Sequence, residues 1–191
     1  MNLFLLDVDL KKCAQFHCNK HVVKMILELT QILYTCWWVS IENNDWITQT
    51  PNQKPYKKSH VFHPTAMWCR LNKDNYNYVI NLALELSKEY TYRYKRIHAC
   101  HKHIIALQSL GFPTPQYPHP KPKKQSKIHR IAIINVPKEI KNFPLCMPDE
   151  CLVSVQGEYD AVNSYRKYYH VKSWALKWKN RDIPSWYKKS I

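Results

Sequence analysis

The chain has 191 residues, of which 45% are apolar and 13% are aromatic, so it can build one domain around a real core. This composition excludes wholesale disorder. The two glycines, Gly111 and Gly157, are too few for an all-β fold with many tight turns, which favours helices.

The charge of the chain indicates which partners it attracts. Lysine and arginine number 29 against 14 acidic residues, which gives a net charge of +15 with histidine counted as neutral. Such a surplus attracts polyanions, so nucleic acid is the favoured partner, ahead of anionic membranes and phosphorylated small molecules. A basic surface that only promotes solubility is the alternative.

The cysteines and the first residues bear on the compartment. The seven cysteines form no CxxC pair, and an odd number of this kind is typical of free thiols. The start, MNLFLLDVDLKK, has no basic region before its apolar residues, so we expect no secretory signal peptide. No apolar run approaches the ~20 residues needed to cross a bilayer. We therefore expect a reducing interior, cytoplasm or nucleus, and no contact with membranes.

The N-terminal part of the chain indicates an extended segment followed by a long helix. The residues NLFLLDVD predict a buried strand or extended segment, after which Asp7 or Asp9 can cap a helix. Helical periodicity runs over about residues 11–38. Its apolar stripe contains Cys18, Val22, Ile26, Leu29 and Leu33.

Two more helices are expected after a polar loop. The loop covers about residues 40–60, and a second helix spans about 63–95, with Pro64 in its first turn. A third helix covers 96–110 and ends at Gly111.

The C-terminal third begins with a change of composition. Residues 111–130 are rich in proline and lysine and predict an extended linker or arm. The run IAIINVP could be a short strand, a last helix covers about 157–179, and residues 177–191 form a basic, aromatic tail. The expected fold is mainly α: a compact single-domain bundle of three to four helices over 1–191, with the Pro/Lys-rich part as an extended excursion.

The first helix carries a line of polar residues at helical spacing. Positions 17, 21, 24, 28 and 31 stack along one face of an α-helix. His17 and His21 could share a divalent metal or a phosphate, Lys24 could hold an anion, and Glu28 could act as a general acid or base. The alternative is an ordinary solvated helix face.

A second group of residues lies where the second helix begins. His60 and His63 precede its first turn, and Trp68 and Arg70 follow. A helix N-terminus favours phosphate, so these residues could form an anion or nucleotide site with His63 as a catalytic group. The alternative is that His63 only caps the helix and that Trp68 belongs to the core.

Two aromatic and basic stretches suit nucleic acid. Tyr90, Arg93 and Tyr94 lie on neighbouring ridges of the second helix, although Arg93 could simply pair with Glu89. Rings among cations can stack on bases while the cations neutralise phosphates. The tail offers the same combination in Lys177, Lys179, Arg181, Trp186, Tyr187 and Lys188.

Five short patterns resemble a family of small uncharacterised proteins from bacteriophages and large DNA viruses: AQFHCNKHVVKMILE, HPTAMW, EYTYRY, MPDE and the C-terminal W…P.WY. The resemblance covers most of the chain outside the Pro/Lys-rich part. It implies a viral protein that acts in the cytoplasm or nucleus of a host cell.

A second resemblance is to the phage-type pyrimidine-dimer DNA glycosylase with AP-lyase activity, the endonuclease V type. It depends on NLFLLDVD before a helix with Gln15 and His17, and on the closing IPSWYKK. It implies that Trp186, Tyr187 and Lys188 contact DNA beside a lesion. That family uses a processed N-terminal amine, whereas this chain starts Met1-Asn2. A Schiff-base route would therefore need Lys24 or another lysine whose pKa is lowered by burial or by neighbouring cations.

These observations lead to three functional hypotheses. The first is a viral DNA glycosylase/lyase-like repair enzyme that acts on a flipped or damaged nucleotide, with DNA preferred to RNA. The second is a phosphodiesterase or nuclease in which His17, His21, His60 and His63 converge on a phosphate of nucleic acid or a signalling nucleotide. The third is a non-catalytic nucleic-acid-binding protein. No cofactor is expected, although His17 and His21 could hold a divalent metal.

Overall fold

The computed structural model describes residues 2–121, 130–172 and 176–187. Helices dominate the first 110 residues, and a small sheet follows. The helices are α1 (Leu10–Phe16), α2 (Asn19–Ser40), α3 (Pro64–Cys69), α4 (Lys73–Tyr94), α5 (His101–Leu110) and α6 (Ala161–Val171), with 3-10 turns at Asp45–Gln49, Pro51–Gln53 and Asp149–Cys151.

The sheet corrects the expected fold class. Its strands are β1 (Ile131–Ile134), β2 (Phe143–Pro144), β3 (Ser154–Val155) and β4 (Glu158–Asp160), in the order β2-β1-β4-β3. β1 runs parallel to β4 and antiparallel to β2, so the sheet is mixed. The chain therefore has an α/β fold, and the prediction of a mainly α bundle of three to four helices was wrong.

The run IAIINVP, which the sequence allowed as a short strand, contains β1, and short length explains why the other three strands escaped prediction. Each of these three has only two or three residues, which is too few for an alternating apolar pattern to be recognised. β3 and β4 form a hairpin whose two turn residues, Gln156 and Gly157, both have positive φ angles. This is the hairpin geometry that favours glycine, and it uses one of the two glycines in the chain.

The long helices expected from periodicity are broken at polar residues. The first breaks between α1 and α2, where His17 and Cys18 adopt extended backbone angles. The second breaks between α3 and α4, where the Asn72 side chain accepts a hydrogen bond from the Asn75 N–H and caps α4. The last helix is shorter than expected, because Asp160 caps α6 and Val171 ends it.

The core forms around α2. This helix packs against α3, α4 and α5, and its apolar stripe is buried, as its spacing predicted. By length and composition α2 could also cross a membrane, with a mean hydropathy of 1.2, but 67% of that window is buried within the fold. The seven cysteines are free thiols, as a reducing compartment would leave them.

The N-terminal segment is extended and buried. Residues 3–6 lie inside the core, where the Cys13 thiol donates a hydrogen bond to the Phe4 carbonyl and lies 3.4 Å from the Leu6 nitrogen. Asp9 then caps α1 by accepting a hydrogen bond of 2.7 Å from the Lys12 N–H. Asp9 is thus one of the two caps that the sequence allowed.

The beginning of the Pro/Lys-rich part contacts the helices. The Gln116 N–H donates to the Ser40 carbonyl, and the Gln116 side chain accepts from the Glu42 N–H. Residues 122–129, which hold most of the predicted arm, lie outside the described residues. That they form an extended arm remains a prediction.

The buried carboxylate of Glu89 joins α4 to the C-terminal segment. It accepts hydrogen bonds from Arg93 at 2.6 Å and from Arg181 at 3.0 and 2.8 Å. Burial raises the pKa of Glu89, but the bonds from both arginines outweigh this effect, so its pKa falls below the usual value. The folded state therefore favours an ionised Glu89, and this stabilisation is lost as the pH falls through its lowered pKa.

We expect Glu89→Gln to lower the free energy of unfolding by about 3 kcal/mol, because it leaves the buried Arg93 without a counter-charge. Urea denaturation followed by circular dichroism measures the change. The control is Glu85→Gln, one turn earlier on α4, whose pair with Lys88 is solvated and contributes less than about 1 kcal/mol. Equal effects of the two substitutions would show that the Glu89 bonds do not stabilise the fold.

Candidate functional site

The line of polar residues predicted on the first helix is divided by the break between α1 and α2. His17 caps α1, whereas His21, Lys24 and Glu28 lie on α2. His17 and His21 are buried, Lys24 is exposed, and Glu28 is partly buried. The residues therefore do not form one continuous face, and the two histidines are separated from solvent.

The two buried histidines are held neutral. The His17 Nδ1–H donates to the Cys13 carbonyl at 2.7 Å, and its Nε2 has no hydrogen-bond partner among the described residues. His21 stacks on Phe4 with ring centroids 4.4 Å apart and shares a hydrogen bond of 2.6 Å with the Tyr169 hydroxyl. Burial lowers the pKa of His17 to about 4 and that of His21 to about 3. Both rings therefore belong to an aromatic core.

The part of the chain that the structure describes contains no group of three or more His, Cys, Asp or Glu residues that could hold a metal. The pair His17 and His21 lies in the core, and the pair His60 and His63 lies at the start of α3. Because His17 and His21 are buried, the four histidines do not converge on one phosphate in the part of the chain that the structure describes.

Lys24 and Glu28 form a solvent-accessible pair of an amine and a carboxylate. Lys24 Nζ lies 3.2 Å from Glu28 Oε1, and their side chains are 60% and 12% exposed. The backbone N–H of Asn2 donates to the other carboxylate oxygen at 3.0 Å. The Asn2 side chain is itself fixed, since it donates to the Cys146 carbonyl and accepts from the Tyr165 hydroxyl. Glu28 thus has a defined position, while Lys24 reaches solvent.

His63 caps α3. Its Nδ1 accepts a hydrogen bond of 3.3 Å from the Thr65 N–H, which leaves the ring proton on Nε2. Burial lowers the pKa of His63 to about 4, and the charge of the Glu28 carboxylate opposes this shift. His63 is therefore the helix cap that the sequence allowed, and its ring is neutral.

Three residues predicted to contact nucleic acid are buried instead. The Trp68 indole donates to the Lys141 carbonyl, and Arg70 donates to the Val61 carbonyl. Arg93 donates to Glu89, and also to the Asn19 side chain and the Gln15 carbonyl. The expectation that Trp68, Arg70 and Arg93 face a ligand is corrected, because their polar atoms are used within the fold.

Tyr90 and Tyr94 remain partly exposed and lie next to the predicted basic tail. Their ring centroids are 4.9 Å apart, and Lys179 Nζ lies 5.3 Å from the Tyr94 ring. Arg181 stacks on Tyr92 at 4.0 Å, in addition to its bonds with Glu89. This cluster of cations and rings resembles the arrangement that the sequence predicted, although the neighbouring Arg93 is not part of its surface.

The aromatic residues of the tail pack against the fold. Trp186 contacts Phe16 and Tyr169 with centroids 5.9 and 5.8 Å apart, and Tyr187 stacks on His170 at 5.0 Å. Both rings are only partly exposed, so the expectation of free stacking platforms is corrected. Lys177 joins the tail to α2, because its carbonyl accepts from the Asn19 N–H. Lys188 lies outside the described residues.

A groove of about 690 Å³ lies elsewhere, between the start of α1 and α4. Its lining contains none of the residues that the sequence predicted to be functional, and it includes Asp9, Asp74, Glu85 and Glu139. Four carboxylates beside two lysines do not favour a phosphate. We therefore regard the groove as separate from the Lys24–Glu28 pair.

The sequence alone gave no reason to include Asn2, Cys146 or Tyr165 in the site. Asn2 contacts Glu28 across 26 residues of chain, and Tyr165 contacts Asn2 across 163. No local spacing reports contacts of this kind. Comparisons with protein-family models, with curated proteins and with solved structures yield no match, so the geometry described above is the basis for the functional assignment.

The two buried histidines predict how stability depends on pH. Because their folded-state pKa values of about 4 and 3 lie below the ordinary value of 6.5, the unfolded chain binds more protons between these limits. The free energy of unfolding therefore falls as the pH drops from 6.5 towards 4, by up to about 1.4 kcal/mol per pH unit for each histidine. Urea denaturation at pH 7, 6 and 5 measures the slope, and His17→Leu should reduce it. An unchanged slope in that variant would contradict the assignment.

Proposed function

We propose that this protein is a viral nucleic-acid-processing enzyme of the DNA glycosylase/lyase type, which acts on a flipped or damaged nucleotide. The observation that supports the proposal is the Lys24–Glu28 pair, in which an exposed amine lies 3.2 Å from a carboxylate that the Asn2 N–H holds in place. A nucleophilic amine next to a positioned proton acceptor is what Schiff-base chemistry at a sugar carbon requires.

The first step forms a bond between Lys24 and the sugar. The Lys24 ammonium transfers a proton to Glu28, and Nζ then attacks C1′ as the bond from C1′ to the base breaks. The base leaves with the bonding electron pair and takes the proton from Glu28. The bond between C1′ and the ring oxygen then breaks, and the ring oxygen takes a proton from the adduct nitrogen. A double bond between C1′ and Nζ forms, which is the Schiff base.

The second step cleaves the strand. The Glu28 carboxylate removes a proton from C2′, and the 3′-phosphate leaves with the electron pair of its bond to C3′. His63, neutral above about pH 4 and with its proton on Nε2, donates a hydrogen bond to the departing phosphate. No metal is needed in this sequence of steps.

Charge supports nucleic acid as the substrate. The net charge of +15 favours association with a polyanion, and this association weakens as salt rises. A target nucleotide must leave the base stack before an amine can reach its C1′, and a damaged or mismatched nucleotide leaves the stack most readily. DNA is the preferred substrate in the proposal.

The two other hypotheses fit the geometry less well. A histidine-based phosphodiesterase needs His17 and His21 to reach a phosphate, and both are buried. A non-catalytic nucleic-acid-binding protein accounts for the charge but not for the positioned Glu28. The experiments below also test these two hypotheses. Cleavage that a chelator inhibits would support the phosphodiesterase, and binding without turnover would support the non-catalytic protein.

We expect borohydride to trap a covalent adduct of the wild-type protein on DNA with an abasic site or a pyrimidine dimer. Lys24→Met should reduce trapping to background, because it removes the nucleophile. Lys88→Met is the matched control and should trap normally, since Lys88 makes a similar pair with Glu85 on another helix. Trapping by Lys24→Met at the wild-type level, or no trapping of the wild-type protein on any damaged DNA, would disprove the proposal.

We expect Glu28→Gln to slow strand cleavage by about 100-fold or more, because it removes the proton acceptor. The glutamine amide oxygen can still accept from the Asn2 N–H, so the fold and the DNA affinity should be retained. Single-turnover cleavage and fluorescence anisotropy measure the two quantities. Normal cleavage by this variant would exclude Glu28 from the chemistry.

A further inference from the structure

The loop between α4 and α5, residues 95–100, exposes an unusual side chain. Ile97 is 74% exposed, more than any other large hydrophobic residue among those that the structure describes. Its neighbours Lys95 and Arg96 are also exposed and carry positive charge. An isoleucine in solvent has no stabilising role of its own, because its burial rather than its exposure is favourable.

The loop is nevertheless rigidly held. Lys95 ends α4 in the left-handed conformation, with φ of 55°, and its N–H donates to the Thr91 carbonyl at 2.9 Å. His98 Nδ1 accepts from the Cys100 N–H at 3.1 Å, and the His98 ring contacts Tyr90 edge to face at 5.0 Å. Ile97 therefore projects from a loop whose backbone is already ordered, which lowers the entropic cost of using it in binding.

The same loop contacts α2. His98 makes a hydrogen bond to the backbone of Val23, the residue before Lys24 on α2. Burial lowers the pKa of His98, and this bond opposes the shift, so the ring lies between the loop and α2. Ile97 is therefore one residue away from a contact with α2, and that contact is at the residue before Lys24.

We propose that Ile97 is a wedge that enters the base stack of duplex DNA beside the flipped nucleotide. This inference rests on the proposed function and adds to it the form of the substrate, a base-paired duplex with one extruded nucleotide. Extrusion leaves a gap in the stack, and an apolar side chain that fills the gap stabilises the extruded state. Lys95 and Arg96 hold the phosphates on either side of the gap.

The surroundings of Ile97 favour DNA over a protein partner. A protein interface presents an apolar patch of a few hundred Å² or more, whereas a single isoleucine between two cations offers a small apolar point in a basic field. The cations complement phosphates, and the isoleucine complements the faces of the bases. This combination fits an intercalating side chain anchored by backbone contacts.

The wedge is tested with a duplex that contains 2-aminopurine next to an abasic site. Fluorescence of 2-aminopurine rises when the base loses its stacking, and the wild-type protein should produce a clear rise. Ile97→Ser should reduce the rise by about 10-fold, because the gap is no longer filled. Leu71→Ser is the matched control: Leu71 is 65% exposed, lies in the turn between α3 and α4, and should leave the signal at the wild-type level.

Binding measurements separate the wedge from its flanking cations. Ile97→Ser should keep its affinity for single-stranded DNA, which has no continuous stack to enter. Arg96→Ala should weaken binding to duplex DNA of any sequence and reduce the slope of log affinity against log salt by about 1. Equal loss of single-strand and duplex binding in Ile97→Ser would overturn the wedge, because it would show a general defect.

The wedge and the proposed chemistry fail in different ways. If Ile97→Ser produces the wild-type fluorescence signal while Lys24→Met loses borohydride trapping, the wedge is wrong and the lyase chemistry stands. If the fluorescence signal depends on Ile97 but the wild-type protein traps no adduct, the chemistry is wrong and the wedge stands as a device of a DNA-binding protein. Thermal unfolding of each variant checks that these surface substitutions leave the fold intact.

Discussion

The buried ion pair between Glu89 and Arg93 is the interaction on which the rest of the structure depends. Arg93 does more than neutralise Glu89, since it also donates to the Gln15 carbonyl and to the Asn19 side chain. These two acceptors lie on either side of the break between α1 and α2. A buried charge must be compensated on all sides, so the break, α4 and the C-terminal segment with Arg181 are fixed together.

The polar residues of α1 and α2 lie in two environments, although the break itself separates only His17 from the others. His17 and His21 turn into an aromatic core with Phe4 and Tyr169, where desolvation keeps both rings neutral. Lys24 and Glu28 lie later on α2 and reach the surface, where charged groups keep their hydration. Within this line of residues, burial removes the two histidines from solvent, whereas Lys24 is exposed and Glu28 is partly buried.

The extended N-terminal segment contributes a hydrogen bond that positions the Glu28 carboxylate. Asn2 connects Glu28 to the Cys146 carbonyl and to Tyr165 on α6, so elements from three parts of the chain determine one carboxylate position. On the other side, the loop after α4 contacts α2 through His98. The proposed chemistry depends on the contact of Asn2 with Glu28, and the proposed wedge depends on the contact of the His98 loop with α2.

The sequence by itself determined the features that depend on local spacing and on composition. The buried stripe of α2, the cap at Asp9 and the basic character of the chain could be predicted, because burial periodicity, capping and charge are encoded within a few residues or in a sum over all of them. His63 as a cap of α3 was one of two alternatives that the sequence left open.

Only the tertiary structure decided the rest. Apart from β1, which the run IAIINVP indicated, the strands have two or three residues and are too short to show a pattern. The sequence left open whether Trp68 lies in the core and whether Arg93 pairs with Glu89, and the tertiary structure decided for both alternatives. The burial of Trp68, Arg70 and Arg93 is possible because two carbonyls and a carboxylate accept their hydrogen bonds. The site has the same origin, since the position of Glu28 depends on Asn2, 26 residues away, and contacts over such distances leave no trace in local periodicity.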